Sequence, residues 1–524
     1  MKANRAYARA IITGKGERAL QDGHPWVYEA EIRRFELPSG EAWSNNGSLR
    51  AGAWNAPSGH DGDSSTPDAG DAGASGGAGG AGFAGAASAA GTAARRAMPA
   101  RQERDATRQA VLDRRRRKEA LNAPATDSEI IPLDALPDGS IVDVVSMKGA
   151  YLGTGLLSRH SRIRVRLVTR NANDDFSPAF WERKIRWTWE YRKTVMGADA
   201  SACRVIFSEA DEFPGLIVDR FNDVLVTQTL SAGMERLKPV VFGALLKVFA
   251  EDGVALRGIY ERNDVATRAL EGLEQTTGWW HAPSGDAGSA DSGDAAASDA
   301  GDAAVTVTDI TENGVRYHVD FANGQKTGFF LDQKYNRRAV ARLARGRRVL
   351  DCCTHTGSFA LNAARGGAEF VRAVDISESA IEMARENARL NGDDVLSRMD
   401  FTVANIFDLL PELERSRNPE RFDFIILDPP AFTKSRRTIG SAERGYREIN
   451  YRAMRILPRG GYLATCSCSH FMDHERFKRM LAEAAQDAGV RLRQIEERQQ
   501  APDHPIVWGI PETDYLKCLL FQVV

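Results

Sequence analysis

Between Arg348 and Ile376 the chain runs through an apolar strand ending in an acid, a small-residue loop, a helix, and a second apolar strand ending in an acid. No other stretch constrains the fold as tightly. Arg348-Val-Leu-Asp stops at Asp351, the loop Cys352-Cys-Thr-His-Thr-Gly-Ser follows with Gly357 near its end, and Phe370-Val-Arg-Ala-Val-Asp closes on Asp375. This is half of a nucleotide-binding βαβ unit: glycine lets the backbone approach a ligand, and an acid after the second strand accepts hydrogen bonds from ribose hydroxyls. The loop holds only one glycine of the G-x-G-x-x-G pattern, so a dinucleotide pyrophosphate fits poorly. A ligand with adenosine but no phosphate fits better, and S-adenosylmethionine is the candidate.

At 524 residues the chain is long enough for about two to four domains. Basic and acidic residues nearly cancel, 69 against 71, so contact with nucleic acid has to come from local patches. Six cysteines, four of them in the tight pairs Cys352/Cys353 and Cys466/Cys468, do not make a secreted disulfide framework and fit a reducing compartment. No apolar run is long enough to span a bilayer and no signal-peptide pattern follows Met1, so a soluble, cytoplasmic protein is expected.

The first 35 or so residues are compact in composition and include His24-Pro-Trp-Val. A tract dominated by Gly, Ala, Ser and Asp follows to about residue 100, then a charged segment, 101–121, holding Arg114-Arg-Arg-Arg-Lys. The tract cannot bury enough apolar surface to offset chain entropy and is expected to be disordered. The Arg/Lys run reads as a solvated charge cluster before it reads as an RNA contact. Strands return at Ser140–Val145, Tyr151–Leu157 and Ile163–Val168. Together with strands from the N-terminus they imply one small β domain, residues 1–36 and 129–170, split by an insertion at 37–128.

A mixed α/β domain is expected over 171–283, with a helix across 176–196, strands at Cys203–Ser208, Leu216–Asp219, Val224–Thr229 and Gly258–Glu261, and a helix at Leu237–Phe249. A second, acidic tract at 284–304 reads as another disordered insertion. From Val305 to Val524 a hairpin (Val305–Thr308, Val315–Val319) and a helix at Tyr335–Arg345 lead into alternating strands and helices, a doubly wound sheet with its site at the strand C-terminal ends.

Two stretches carry the chemistry. Asp428-Pro429-Pro430 follows the apolar Phe424-Ile-Ile-Leu, and the stiff proline pair aims Asp428 into the crevice. Its bland alternative is a turn ending a buried strand. Tyr462-Leu-Ala-Thr-Cys-Ser-Cys-Ser carries Cys466 and Cys468, which strand alternation points to one face. Cys468, nearer the strand end, is the candidate nucleophile and Cys466 the candidate core residue. A zinc site on Cys466, Cys468, His470 and His474 has no familiar structural spacing, so no metal is expected.

These residues resemble the bacterial large-subunit rRNA cytosine-C5 methyltransferase family that carries an N-terminal PUA domain. The similarity rests on His24-Pro-Trp-Val, on Ser208-Glu-Ala-Asp-Glu-Phe-Pro-Gly-Leu-Ile-Val-Asp-Arg-Phe, on Lys326-Thr-Gly-Phe-Phe-Leu-Asp-Gln, on Asp428-Pro-Pro-Ala-Phe, on Arg444-Gly-Tyr-Arg-Glu-Ile-Asn and on Ser467-Cys-Ser. It implies a Rossmann-like class I methyltransferase domain with a seven-stranded sheet, preceded by a PUA-like domain and the mixed α/β domain. It implies S-adenosylmethionine as methyl donor, held by Phe330, Asp351, Thr356, Gly357, Asp375, Ser377, Asn405 and Asp428, with Asp375 on the ribose. It further implies Cys468 and Asp428 as catalytic residues, His24 and Trp26 as RNA contacts, and large-subunit rRNA as partner. Asn405 stands where the family pattern leads one to expect an acid, and the two low-complexity insertions are foreign to it.

The implied chemistry is addition of the Cys468 thiolate to cytosine C6, methyl transfer to C5 and elimination, with Asp428 on the N3/N4 edge of an unstacked base. The alternatives are guanine-N7 or another nitrogen target, which needs no cysteine, and a catalytically inactive RNA-binding or ribosome-assembly factor. The assembly state is left open, with a homodimer among the options.

Overall fold

The computed structural model describes residues 7–38, 128–281, 305–416, 420–433 and 435–524. The tracts expected to be disordered at 37–128 and 284–304, and the charged segment 101–121, lie outside the described residues except at the first tract's edges. There Leu37 and Pro38 belong to the strand Ile32–Pro38, and Ser128 opens Ser128–Ile131; the two strands pair antiparallel, with Pro38 opposite Ser128. Each added rung satisfies further backbone donors and acceptors, which carries the sheet past the compositional boundary at residue 36.

The sheet that closes there has seven strands, in the spatial order Trp26–Tyr28, Ile163–Thr169, Tyr151–Leu157, Ile141–Ser146, Ala8–Ile12, Ile32–Pro38 and Ser128–Ile131. Ala8–Ile12 runs parallel to Ile141–Ser146, so segments on both sides of the insertion share one ladder. A helix not expected from the sequence, Gly14–Gln21, starts on Thr13, whose hydroxyl accepts from the Gly16 amide at 3.3 Å. Ala10, Ile12, Leu20, Val27, Val142, Leu157 and Val165 form the core beneath.

The helix Pro178–Met196 begins where Ser177 caps the Phe180 amide and proline occupies the first turn, and it stops at Gly197. It buries Phe180, Trp181, Ile185 and Trp189. The second long helix, Ala232–Glu251, starts five residues before the expected Leu237, because Ser231 caps the Met234 amide. The sheet beside them orders Thr277–Trp279, Gly258–Arg262, Val224–Thr229, Leu216–Phe221 and Ala202–Phe207. Its edge strand Thr277–Trp279 is three residues long, too short for a periodic signal.

The expected hairpin forms as Val307–Glu312 against Val315–Asp320, its first strand later than the expected Val305–Thr308 and its second starting at the expected Val315. Its inner face, Ile310, Val315, Tyr317 and Val319, belongs to one core cluster with Phe221, Val224 and Tyr260 on one side and Val349, Phe424 and Ala464 on the other. The hairpin therefore welds the five-stranded sheet to the last one. That last sheet orders Met399–Val403, Phe370–Asp375, Arg348–Cys352, Phe424–Leu427, Tyr462–Ser467, Lys517–Val523 and Leu492–Arg498. The first five run parallel, and Lys517–Val523 is antiparallel to both its neighbours. Chain order reverses between Arg348–Cys352 and Phe424–Leu427, which opens a crevice at their C-terminal ends.

Candidate active site

Asp351 is fully buried at the end of its strand. Its Oδ2 accepts from the Thr354 hydroxyl at 2.6 Å and the Ala360 amide at 2.9 Å. Burial, and secondarily the charge of Asp428, push its carboxyl up to about 7, while the Thr354 bond works in the opposite direction. Cys353, His355 and Gly357 all take left-handed backbone, with φ of 62°, 53° and 83°. At Gly357 a Cβ would lie 3.0 Å from the Ala384 Cβ, so the loop can press onto the helix Glu378–Leu390 only with glycine there.

Asp375 fastens this loop to the next strand. Its Oδ2 accepts from the His355 amide at 2.9 Å and its Oδ1 from the Ser377 amide at 3.0 Å. Both oxygens keep a lone pair for a further donor. Ser377 uses its hydroxyl to cap the Ala380 amide at 3.3 Å, and exposed Asn405 caps Phe407 at 3.1 Å. Phe330 meets the His355 ring edge-on at 5.2 Å, and Lys326 Nζ lies 4.8 Å over the Phe330 ring. Burial lowers the His355 imidazole to about 4, so it is neutral at pH 7. Two buried oxygens, Asp351 Oδ1 and Thr356 Oγ1, have no hydrogen-bond partner among the described residues. Orphaned acceptors beside a glycine turn and a two-amide carboxylate suit a nucleoside with several hydroxyl and amine donors, as S-adenosylmethionine has.

Across the crevice Asp428 Oδ1 accepts from Gln333 Nε2 at 2.8 Å. Its carboxyl opens onto the crevice but is ringed by protein; burial, then the negative charge of Asp332, push it up to about 7. Asp332 accepts from the Tyr515 hydroxyl at 2.7 Å. Burial would raise Asp332 too, but the positive charges of His504 and Lys326 outweigh it and hold it below its usual range. Of these two neighbouring carboxyls, one is ionised at neutral pH and the other is poised to carry a proton.

The strand Tyr462–Ser467 ends before Cys468, so alternation does not place the second thiol. Cys466 is fully buried directly opposite Cys518, and contact between the two thiols, followed by burial, raises it. Cys468 sits half-buried past the strand end. Burial and then the Asp428 charge push its thiol up to about 11, while Lys326 and Lys517 pull the other way. Lys517 is 2% exposed and donates to the Ser469 carbonyl at 2.7 Å and the Tyr515 carbonyl at 2.8 Å; burial lowers it to about 8.

The crevice thus brings together Asp351, Thr356, Gly357, Asp375 and Ser377 on one side and Asp428 and Cys468 on the other, with Phe330 against the His355 ring. His24 and Trp26 lie elsewhere. Trp26 Nε1 donates to Glu209 at 2.9 Å, and His24 packs edge-on against Trp26 with Nε2 3.8 Å from Glu512, so both are engaged within the molecule. Among the described residues no group of three or more His, Cys, Asp or Glu side chains could hold a metal, and no helix is long and apolar enough to cross a membrane. Sequence reasoning missed Gln333 and Lys517. The signal for Lys517 was a lone cation inside the otherwise apolar run Leu516–Phe521, a position that burial makes costly unless the ammonium is hydrogen-bonded.

Residues 261–522 match the family model for S-adenosylmethionine-dependent methyltransferases, and residues 125–170 match a PUA-like domain. Similar curated proteins include the ribosomal RNA large subunit methyltransferase I of Aeromonas salmonicida, 38% identical over 386 residues, covering 74% of this chain and 91% of that one. The protein of that name from Pseudoalteromonas translucida is 38% identical over 388 residues, with the same coverage of both chains. The solved structure of a provisionally assigned SAM-dependent methyltransferase from Streptococcus mutans superposes with a TM-score of 0.60 at 21% identity, covering 74% of this chain and 92% of the other, a likeness of fold. A crystal structure of another provisionally assigned methyltransferase, complexed with SAH, superposes at 0.61 with 20% identity and the same coverage. With half the chain matched by the family model and most of it aligned to these relatives, the protein belongs to the S-adenosylmethionine-dependent methyltransferase family that includes the ribosomal RNA large subunit methyltransferase I proteins.

Proposed function

We propose that this protein methylates C5 of a cytosine in large-subunit ribosomal RNA through a covalent adduct between Cys468 and C6 of the base. The observation that carries the reading is the meeting of a half-buried thiol, a protonatable carboxyl and a nucleoside-binding loop at the C-terminal ends of three adjacent parallel strands. Bound S-adenosylmethionine supplies an electrophilic methyl group. Asp351, Thr356, Gly357 and Asp375 would hold its adenosine half, with Asp375 facing the ribose, and Phe330, Ser377 and Asn405 would line the same pocket.

The chain's own residues do the rest. Cytosine C5 is a weak nucleophile, and thiolate addition at C6 makes it enamine-like. Asp428, poised near neutrality, carries a proton before attack, so that no anion there disfavours the Cys468 thiolate, and donates that proton to the N3 edge as charge develops on the ring. The ammonium of Lys517 favours that thiolate. The substrate base must be unstacked, so a loop or a flipped nucleotide is the target. Free thiols at the reacting centre fit a reducing, cytoplasmic setting. Trp26, on the PUA-like sheet, and His24, in the turn before its strand, would contribute to RNA contact from the junction they occupy.

Transfer of labelled methyl to large-subunit rRNA followed by nucleoside analysis tests the reading, and 5-methylcytosine is expected. RNA with 5-fluorocytosine at the target should trap the wild-type protein covalently, because fluorine blocks the last proton removal. Cys468→Ala should abolish transfer and trapping while leaving cofactor affinity by calorimetry unchanged. A methylated guanine or another nitrogen product with Cys468→Ala still active would replace this reading with nitrogen methylation. Cofactor binding without any transfer would leave an inactive RNA-binding factor.

A further inference from the structure

Arg338, Arg342 and Arg345 recur at spacings of four and three along the helix Lys334–Ala344 and its end, and so share one face. All three are exposed. Arg498, at the end of the edge strand Leu492–Arg498, joins them, and with Tyr335 and Gly366 they line a groove of about 690 Å³. The lining carries four guanidinium groups and no carboxylate. Glu496 reaches the groove from outside it, one oxygen on Arg342 and the other on Arg498 at 2.6 Å. Arg338 instead lies 4.4 Å over the Tyr335 ring. Neither Arg338 nor Arg345 meets a carboxylate among the described residues. In a chain whose net charge is −2, this is a concentrated positive patch of the kind that near-neutrality requires for any nucleic-acid contact.

The groove is also wired to the reacting centre. Arg498 Nε donates to Asn336 Oδ1 at 2.9 Å, Asn336 Nδ2 to Gln333 Oε1 at 2.6 Å, and Gln333 Nε2 to Asp428 Oδ1 at 2.8 Å. Asn336 and Gln333 are 1% and 3% exposed, so this relay is shielded from solvent. The groove and the crevice carboxyl sit at opposite ends of one short chain of hydrogen bonds.

We propose that this groove holds the phosphodiester backbone of the RNA substrate beside the target nucleotide. The inference rests on the RNA-methylation reading and adds where the strand lies. Arg338 to Arg345 spans about 10 Å of helix axis, too far for one phosphate and suited to successive phosphates. Arginine's fork of donors matches each phosphate, and a guanidinium already lying over a tyrosine ring is preorganised for it.

The test measures binding of the full-length protein to a fluorescent large-subunit rRNA fragment by anisotropy, between about 50 and 200 mM salt. The variants are Arg338→Gln/Arg345→Gln, the conservative pair Arg338→Lys/Arg345→Lys, and Arg479→Gln, an exposed arginine on a different helix, as control. The glutamine pair should weaken binding about tenfold or more at the lower salt. Its slope of log K against log salt should be shallower by about 0.7–0.9 for each phosphate no longer neutralised. The lysine pair should keep most of the slope, the control should match wild type, and cofactor affinity by calorimetry should be unchanged in all. An unchanged slope in the glutamine pair, or an equal loss in the control, overturns the groove while wild-type RNA binding leaves the methylation reading standing. Loss of binding to an acidic protein with RNA affinity intact also overturns it, in favour of a protein partner. Wild-type protein that binds no rRNA fragment at all overturns both. None of these outcomes depends on which base atom is methylated.

Discussion

At the scale of single residues the crevice is defined by opposed charges on one thiol. Asp428 is an anion when ionised and disfavours the Cys468 thiolate; Lys517 and Lys326 are cations and favour it. The signs make two substitutions move in opposite directions. Asp428→Asn should bring the thiol down from about 11, and Lys517→Met should push it higher. Iodoacetamide alkylation of Cys468 followed across pH reads this directly, as a midpoint displaced to lower pH in the first variant and to higher pH in the second. Equal midpoints would mean that neither group faces the thiol. Cys466, paired with Cys518 and fully buried, should stay unreactive in all of them.

At the scale of elements the hairpin Val307–Glu312/Val315–Asp320 matters out of proportion to its length. Glu312 is fully buried and pairs with Arg337, 1% exposed, at 2.6 Å, and Arg337 also donates to the Phe330 carbonyl and lies 4.7 Å over the Phe329 ring. One ion pair thus ties the hairpin to the segment that presents Phe330, Asp332 and Gln333 to the crevice. Removing one partner leaves an uncompensated buried charge. Glu312→Ala should therefore destabilise the protein by about 3–5 kcal/mol, measured by denaturant unfolding. Replacing both partners with apolar residues of similar volume should cost much less than the single change.

At the scale of the whole molecule, the low-complexity tract enters and leaves the first sheet where Ile32–Pro38 and Ser128–Ile131 pair. A short turn can join neighbouring antiparallel strands, so the tract is not needed to close the ladder. Deleting residues 40–126 and 284–303, each replaced by a short Gly/Ser turn, should leave one cooperative melting transition and methyl transfer to a minimal RNA largely intact. Loss of the cooperative transition would show that the tracts contribute to the folded unit.

The βαβ unit at Arg348–Asp375, the Asp428-Pro-Pro turn and the succession of strands and helices along the chain were legible in the sequence, because apolar runs, a glycine forced by close backbone approach and acids at strand ends are local patterns. Family membership followed from the same motifs. What the tertiary structure alone decided came from distant segments meeting. The end of Tyr462–Ser467 divides Cys466 from Cys468, fully burying one against Cys518 and leaving the other half-buried. Lys517 reaches Ser469 across 48 residues of sequence, and Gln333 reaches Asp428 across 95. The arginine groove needs a strand 153 residues beyond Arg345 to supply Arg498. Burial, and hence the protonation of Asp428 and Cys468, depends on how much protein surrounds a group in space, a quantity that no local pattern of residues contains.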